Sequence, residues 1–204
     1  GDIVSELAAG LAGGISVGCG VPPGMPLRVV GVVKAYMTTV GGGPLPTELD
    51  GAVADGIARR GNEFGSVTGR RRRIGWLDLC FVRKAVRIDG ISGLCVSSLD
   101  VLGGLDEVRV AGRYRVGGDT VDEVPVALDA LAKVEPILET FAGWPEIEPT
   151  AVVEGGLAAL PATARRFLDH LSESLGVPIV AVGFGPGREH TLVIDPPFGP
   201  VDPA

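Results

Sequence analysis

The run Gly61-Asn62-Glu63-Phe64-Gly65-Ser66-Val67-Thr68-Gly69-Arg70-Arg71-Arg72-Arg73-Ile74-Gly75-Trp76-Leu77-Asp78 constrains this chain more than any other stretch. Four consecutive arginines follow a Thr-Gly step and lead into a largely apolar run that reaches Val82. Glycines 61, 65 and 69 can take positive φ without strain, so the backbone here can bend and approach a ligand closely. Arginine supplies planar, permanently charged forks that grip a carboxylate or a phosphate at two points. Such a run reads either as a pocket for a small anion or as a solvated basic patch for nucleic acid. Charge separates the two. The formal net charge is -7 and the pI about 4.9, whereas a nucleic-acid binder presents a broad basic face. The arginines read as a local anion site, and no nucleic acid is expected as a partner.

The 204 residues, 46% of them hydrophobic, suffice for one domain over residues 1–204 with a buried core. Cys19, Cys80 and Cys95 share no metal-ligand spacing. Cys80 and Cys95 lie in apolar runs, as small buried hydrophobes do, and a reducing compartment fits them. Residues 7–27 carry no charge, a length that raises the question of a membrane. Six glycines and three prolines break that stretch, so it reads as a Gly-rich loop and not as a spanning helix or a secretory signal.

Taken in order, residues 2–9 suggest a short helix and residues 18–24 irregular backbone. The spacing of Arg28 and Lys34 along residues 27–36 predicts a helix. Gly41-Gly42-Gly43-Pro44 forces a turn, Pro46-Thr47-Glu48-Leu49 resembles a capped helix entry, and residues 52–60 form an amphipathic helix closed by Gly61. Residues 76–85 with Ile88 suit a buried helix or strand. Residues 93–100 read as a strand ending on Asp100. An acid there is placed either for ligand contact at the carboxyl end of a sheet strand or as a helix N-cap. Residues 107–116 alternate as a strand with one wetter face. A helical stretch from Val126 precedes residues 136–144. Residues 160–175, between Pro161 and Gly176, form a helix, with His170 inside it as a structural or surface residue. Residues 178–182 form a buried strand running into Gly183-Phe184-Gly185-Pro186-Gly187-Arg188, and residues 191–194 a last strand before a loosely attached Pro-rich tail. The fold class is α/β: a mixed, mostly parallel sheet flanked by helices, with long Gly-rich ligand loops.

These separated motifs also resemble, in order and spacing, the C-terminal half of the adenylosuccinate synthetase family. The matching pieces are Lys34-Ala35-Tyr36, residues 40–49, Gly61-Asn62-Glu63-Phe64-Gly65, residues 68–73, and Gly75-Trp76-Leu77-Asp78. Leu99-Asp100-Val101-Leu102, residues 135–144, Gly176-Val177-Pro178-Ile179 and Gly185-Pro186-Gly187-Arg188 complete the pattern, which covers the chain from about Ala12 onward. The resemblance implies formation of adenylosuccinate from IMP, L-aspartate and GTP with Mg2+, in AMP and purine nucleotide biosynthesis. GTP phosphorylates the purine 6-oxygen, and the aspartate amine displaces that phosphate.

By the same resemblance, Val67, Thr68, Gly69, Arg70, Arg71 and Arg72 form a mobile loop on the aspartate and IMP side. Thr68 touches aspartate, Arg70 serves aspartate and IMP, and Arg72 reaches aspartate and the GTP phosphates. Val40 and Gly41 lie along the IMP ribose. Asp100 reads the guanine edge with Ser98 and Leu99 beside it, and Gly183, Phe184 and Gly185 offer backbone to the same base. The family's N-terminal half has no counterpart among these residues. Its phosphate-cradling glycine loop, metal ligands, catalytic aspartate and histidine, and oxyanion-stabilising glutamine are therefore not expected here. Ser98 replaces a family lysine, Val67 replaces a threonine, and Leu7-Ala8-Ala9-Gly10-Leu11 replaces a polar run. The implied setting is cytoplasmic, with a homodimer mate or a separate N-terminal half as partner and no activity of this chain alone. The alternative is a non-catalytic module that binds nucleotide or another anion.

Overall fold

The computed structural model describes residues 28–65, 67 and 69–196, preceded by Ala12, Gly14, Gly18, Gly20 and Pro22. The helix expected over residues 2–9 and the Pro-rich tail lie outside the described residues, as does Cys19. Of the loop expected over residues 7–27, Gly14 and Gly18 are helical, a conformation glycine tolerates at a cost of about 1 kcal/mol.

Residues 27–36 are not a helix. Val29–Lys34 form strand β1, and Tyr36–Thr39 form strand β2. Four β-branched valines favour pleated backbone, and the two charges that suggested helical spacing fall outside the strand and at its end. The segment read as a helix cap is instead strand β3, Glu48–Leu49. Helix α1, Gly51–Arg60, ends on Gly61 as expected.

The run after the arginines is both strand and helix. Strand β4, Arg73–Asp78, passes directly into helix α2, Leu79–Asp89. Asp78 makes the change of direction: it ends the strand, and its Oδ1 accepts from the Cys80 amide at 3.0 Å as the N-cap of α2. Gly90, at φ 61, closes the helix in the left-handed conformation, and strand β5, Ile91–Ser97, follows. Strands β6, Glu107–Val116, and β7, Asp119–Val121, form a hairpin. The helix expected from Val126 shrinks to one turn, α3, Leu128–Leu131, because Glu135–Ala142 are taken as strand β8 against β6. Helices α4, Pro149–Gly155, and α5, Ala162–Leu175, precede strands β9, Ile179–Gly183, and β10, Thr191–Val193.

The strands make two sheets. The first has the order β1-β5-β9-β10, parallel through its first three strands, with β10 antiparallel. The second runs β2-β4-β6-β7, with β3 on β4 and β8 on β6, and only the β4–β6 pair is parallel. The α/β class with mixed sheets and flanking helices holds, but the expected single, mostly parallel sheet does not: there are two sheets, and five of the eight strand pairs are antiparallel, because hairpins and returning strands build the second sheet. One core joins the two: Tyr36, Ile57, Trp76, Leu94, Leu102, Phe167 and Val182 belong to a single buried cluster. Cys80 is buried, and Cys95 is half-buried. Among the described residues no helix is long and apolar enough to cross a membrane.

The parallel pairing decides what meets at one end of the first sheet. Lys34 is in register with Ser97, and Val96 with Val182. The last residues of β1, β5 and β9 therefore stand side by side, at the end where open α/β sheets gather ligands.

Candidate functional site

Two groups of residues come together at that carboxyl edge. The first surrounds Asp100, which opens a 3-10 turn, Asp100–Leu102, three residues after β5. Leu99 is the cap of that turn, so Asp100 is not its N-cap. Ser98 adopts φ 59, a conformation rarely held by a non-glycine residue and commoner at functional sites. The Leu99 amide donates to the Gly183 carbonyl at 3.3 Å, and the Phe184 amide donates to that of His190 at 2.9 Å. Residues 98–100 and 183–185, more than eighty positions apart, are thereby neighbours. The side chains of Leu99 and Phe184 are buried in the core, so at this site only their backbone groups can serve a ligand.

Oδ1 of Asp100 is buried and, among the described residues, has no hydrogen-bond partner. Burial pushes its carboxyl above the usual range, against opposing backbone donors and the positive charge of Arg60. Nδ1 of His190 is likewise buried without a partner, and it packs so closely on Gly185 that a Cβ there would stand 2.8 Å from it. Arg60, Asp100, Val101, Glu146 and Ile147 line a hollow of about 250 Å³. A buried acceptor left without donors costs free energy. A ligand offering two N–H donors on one edge, as guanine does, would recover it.

The second group is the arginine loop. The main chain from Glu63 to Arg72 doubles back on itself: the Arg72 amide donates to the Glu63 carbonyl at 2.9 Å, and Phe64 bridges Arg71. Gly69 takes φ +64. Gly61, by contrast, sits at φ -80, so its lack of a side chain serves close packing and not a left-handed turn. Val67 is 94% exposed, and Thr68 lies outside the described residues. Arg70 is exposed.

The next three arginines each meet an acid. Arg71 pairs with Asp55 of α1 at 2.8 Å, and Arg72 with Glu63 at 2.8 Å. Arg73 forks onto both oxygens of Glu48 at 2.6 and 2.5 Å, and its Nη1 donates to the carbonyls of Gly41 and Gly43 at 3.0 and 2.6 Å. Arg73 thus fastens the Val40–Gly43 turn to β4. Val40 and Gly41 themselves are exposed beside it.

Glu63 is the residue that the sequence reading left out of the site. It is 1% exposed. Its Oε1 accepts from Lys34 Nζ at 2.5 Å and from Tyr36 Oη at 2.6 Å, while its Oε2 accepts from Arg72. Burial alone raises a carboxyl, but these three donors carry Glu63 below the ordinary range, so it is a carboxylate at neutral pH. Burial and this same carboxylate drive the Tyr36 phenol upward. The available signal was a lysine and a tyrosine bracketing the end of a valine-rich run, with an acid set among glycines; their meeting is a tertiary event. Among the described residues no three acidic, histidine or cysteine side chains stand together in a way that could hold a metal ion.

Parallel strands leading to a half-buried carboxylate, a glycine turn and a cluster of fixed cations have the make-up of an α/β ligand-binding protein. More particularly, the chain belongs to the adenylosuccinate synthetase family, whose sequence profile matches residues 7–192. It is 45% identical to adenylosuccinate synthetase 2 of Chromobacterium violaceum over 189 residues, covering 93% of this chain and 43% of that protein. It is 41% identical to the adenylosuccinate synthetase of Haloarcula marismortui over 206 residues, covering 92% and 45%. The fully ligated adenylosuccinate synthetase of Plasmodium falciparum superposes with a TM-score of 0.82 at 33% identity, over 90% of this chain and 43% of that one. The chain thus spans less than half the length of these relatives.

Proposed function

We propose that this chain is the guanine- and aspartate-binding C-terminal part of an adenylosuccinate synthetase, a GTP-dependent ligase of AMP biosynthesis acting in the cytoplasm. The observation that carries this reading is Asp100, which lines a hollow beside the Gly183–Gly185 backbone and has one oxygen without a partner among the described residues. A carboxylate there accepts the paired N–H donors of guanine and rejects bases that lack them, since a mismatch leaves it unpaired. Arg70 and Arg72 supply forks for the aspartate carboxylates and the nucleotide phosphates, and Val40 with Gly41 borders the IMP ribose. Phosphoryl transfer rests on positioning and on cations that offset developing charge. This chain contributes base recognition and the arginines to that task. The phosphate loop, general base and magnesium ligands would come from the remaining portion of the family fold, supplied by a partner chain or a longer polypeptide. A homodimer mate is the other partner the family suggests.

Calorimetry with GDP, IMP and aspartate tests the binding half of the proposal, and GDP binding that Asp100→Asn abolishes is the expected result. The purine absorbance change tests the catalytic half. Turnover is expected only when the remaining portion is co-expressed. Binding without turnover under that condition favours the second reading, a non-catalytic nucleotide module. Steady turnover by the purified chain alone would mean that residues here have taken over the missing roles.

A further inference from the structure

We propose that Lys34 is a ligand-binding residue, forming with Arg72 a two-cation clamp for one anionic group, and that the buried Glu63 holds both in place. The inference rests on the reading of Asp100 as the base-recognising group. Glu63 presents one oxygen to each cation: Oε1 to Lys34 at 2.5 Å and Oε2 to Arg72 at 2.8 Å. One carboxylate offsets one of these charges, and the cluster keeps a net positive charge. Both cations are about one-third exposed while Glu63 is sealed, so the excess charge faces outward from a rigid base.

The position of Lys34 gives that charge a purpose. Lys34 ends β1 in register with Ser97, one residue before the stretch that carries Asp100. It therefore lies at the carboxyl edge of the parallel sheet, between the base-recognising residues and the arginine loop. An ammonium has three donors; among the described residues Lys34 spends one on Glu63, and its Nζ also lies 5.6 Å from the Tyr36 ring centroid. The remaining donors suit the oxygens of a phosphate or a carboxylate. Tyr36, donating to the same Glu63 oxygen, fixes the carboxylate so that neither cation can pull it aside.

The experiment measures binding of guanosine, GDP and aspartate to the full chain and to Lys34→Met, Lys34→Arg and Arg87→Met. Lys34→Met leaves Glu63 paired to Arg72, so the fold is retained, and circular dichroism checks this. Arg87, paired with Glu123 at the surface, controls for the loss of one positive charge. Lys34→Met is expected to weaken GDP roughly tenfold or more, to leave guanosine unchanged, and to be rescued by Lys34→Arg. If aspartate weakens in place of GDP, the clamp holds a carboxylate and not a phosphate. Equal weakening of guanosine and GDP, or an equal loss in Arg87→Met, would reduce Lys34 to a structural or long-range role and overturn the proposal. So would unchanged GDP and aspartate affinities in Lys34→Met. If the unaltered chain binds neither guanosine nor GDP, the reading of Asp100 fails, and this inference fails with it.

Discussion

A side chain at Gly61 would occupy the space of the Tyr36 hydroxyl. Gly61 follows the last residue of α1, and Tyr36 is the first residue of β2, so this contact sets how closely the helix end approaches the strand. It also protects the Tyr36–Glu63 hydrogen bond of 2.6 Å. Gly61→Ala is therefore expected to destabilise the chain by about 2 kcal/mol. Replacing Tyr36 with Phe removes the clashing hydroxyl, so the double variant Gly61→Ala/Tyr36→Phe should lose less than the two single losses combined. Urea unfolding of the four proteins measures that coupling, and strictly additive losses would show that the contact does not matter.

Asp100 carries a buried acceptor with no partner among the described residues, so the site is built at the expense of stability. Asp100→Asn removes a partly buried charge and should raise the stability of the ligand-free chain by about 1 kcal/mol. The same change should weaken GDP at least tenfold. Thermal melts with and without GDP check both. A variant that is less stable and still binds GDP would assign Asp100 to the fold alone.

The pH dependence of stability should carry the mark of Asp78. This carboxyl is 1% exposed, and burial lifts it from 3.8 to about 6, against donation from Tyr114 Oη at 2.6 Å and from the Cys80 amide. The folded value lies above the unfolded one, so the stabilising contribution is complete below about pH 4 and is lost as pH rises through about 6. The span is worth about 3 kcal/mol. Asparagine can accept the Cys80 amide through its one oxygen and donate its NH2 to the Tyr114 oxygen, without titrating. The difference in urea midpoint between wild type and Asp78→Asn should therefore change between pH 4 and 6.5, in favour of the variant at the upper end. A constant difference would show that Asp78 titrates at its ordinary value.

Gly143 tests the packing of the second sheet. Its amide donates to the Asp106 carbonyl at 2.9 Å, and a Cβ at this position would overlap the Leu105 carbonyl oxygen. The obstacle is backbone, which cannot swing away, so Gly143→Ala should cost about 3 kcal/mol. The next residue, Trp144, is buried against Phe167 and donates to the Leu99 carbonyl at 3.2 Å. The substitution should accordingly loosen the turn before Asp100 as well. Chemical denaturation gives the first effect and GDP affinity the second.

The sequence by itself determined the elements whose signals are local. Helix α5 between Pro161 and Gly176, the alternating strand β6 and the apolar β9 all follow from periodicity and punctuation within one segment. The arginine run pointed to anion chemistry, because adjacent guanidinium groups in an acidic chain suit a carboxylate or a phosphate. Periodicity misled at residues 27–36, where two charges at helical spacing outweighed four valines, and it was silent on where the strand of β4 became the helix of α2. Only the tertiary structure decided which arginine does what. Arg71 and Arg73 are committed to Asp55 and Glu48, whereas Arg72 shares the buried Glu63 with Lys34 and Tyr36. No local rule could assign those roles, since a cation's function depends on which acid the fold places beside it. The same holds for Asp100, an ordinary acid after a strand until parallel pairing of β5 and β9 sets it beside Gly183 and His190 and leaves one oxygen buried without a donor among the described residues.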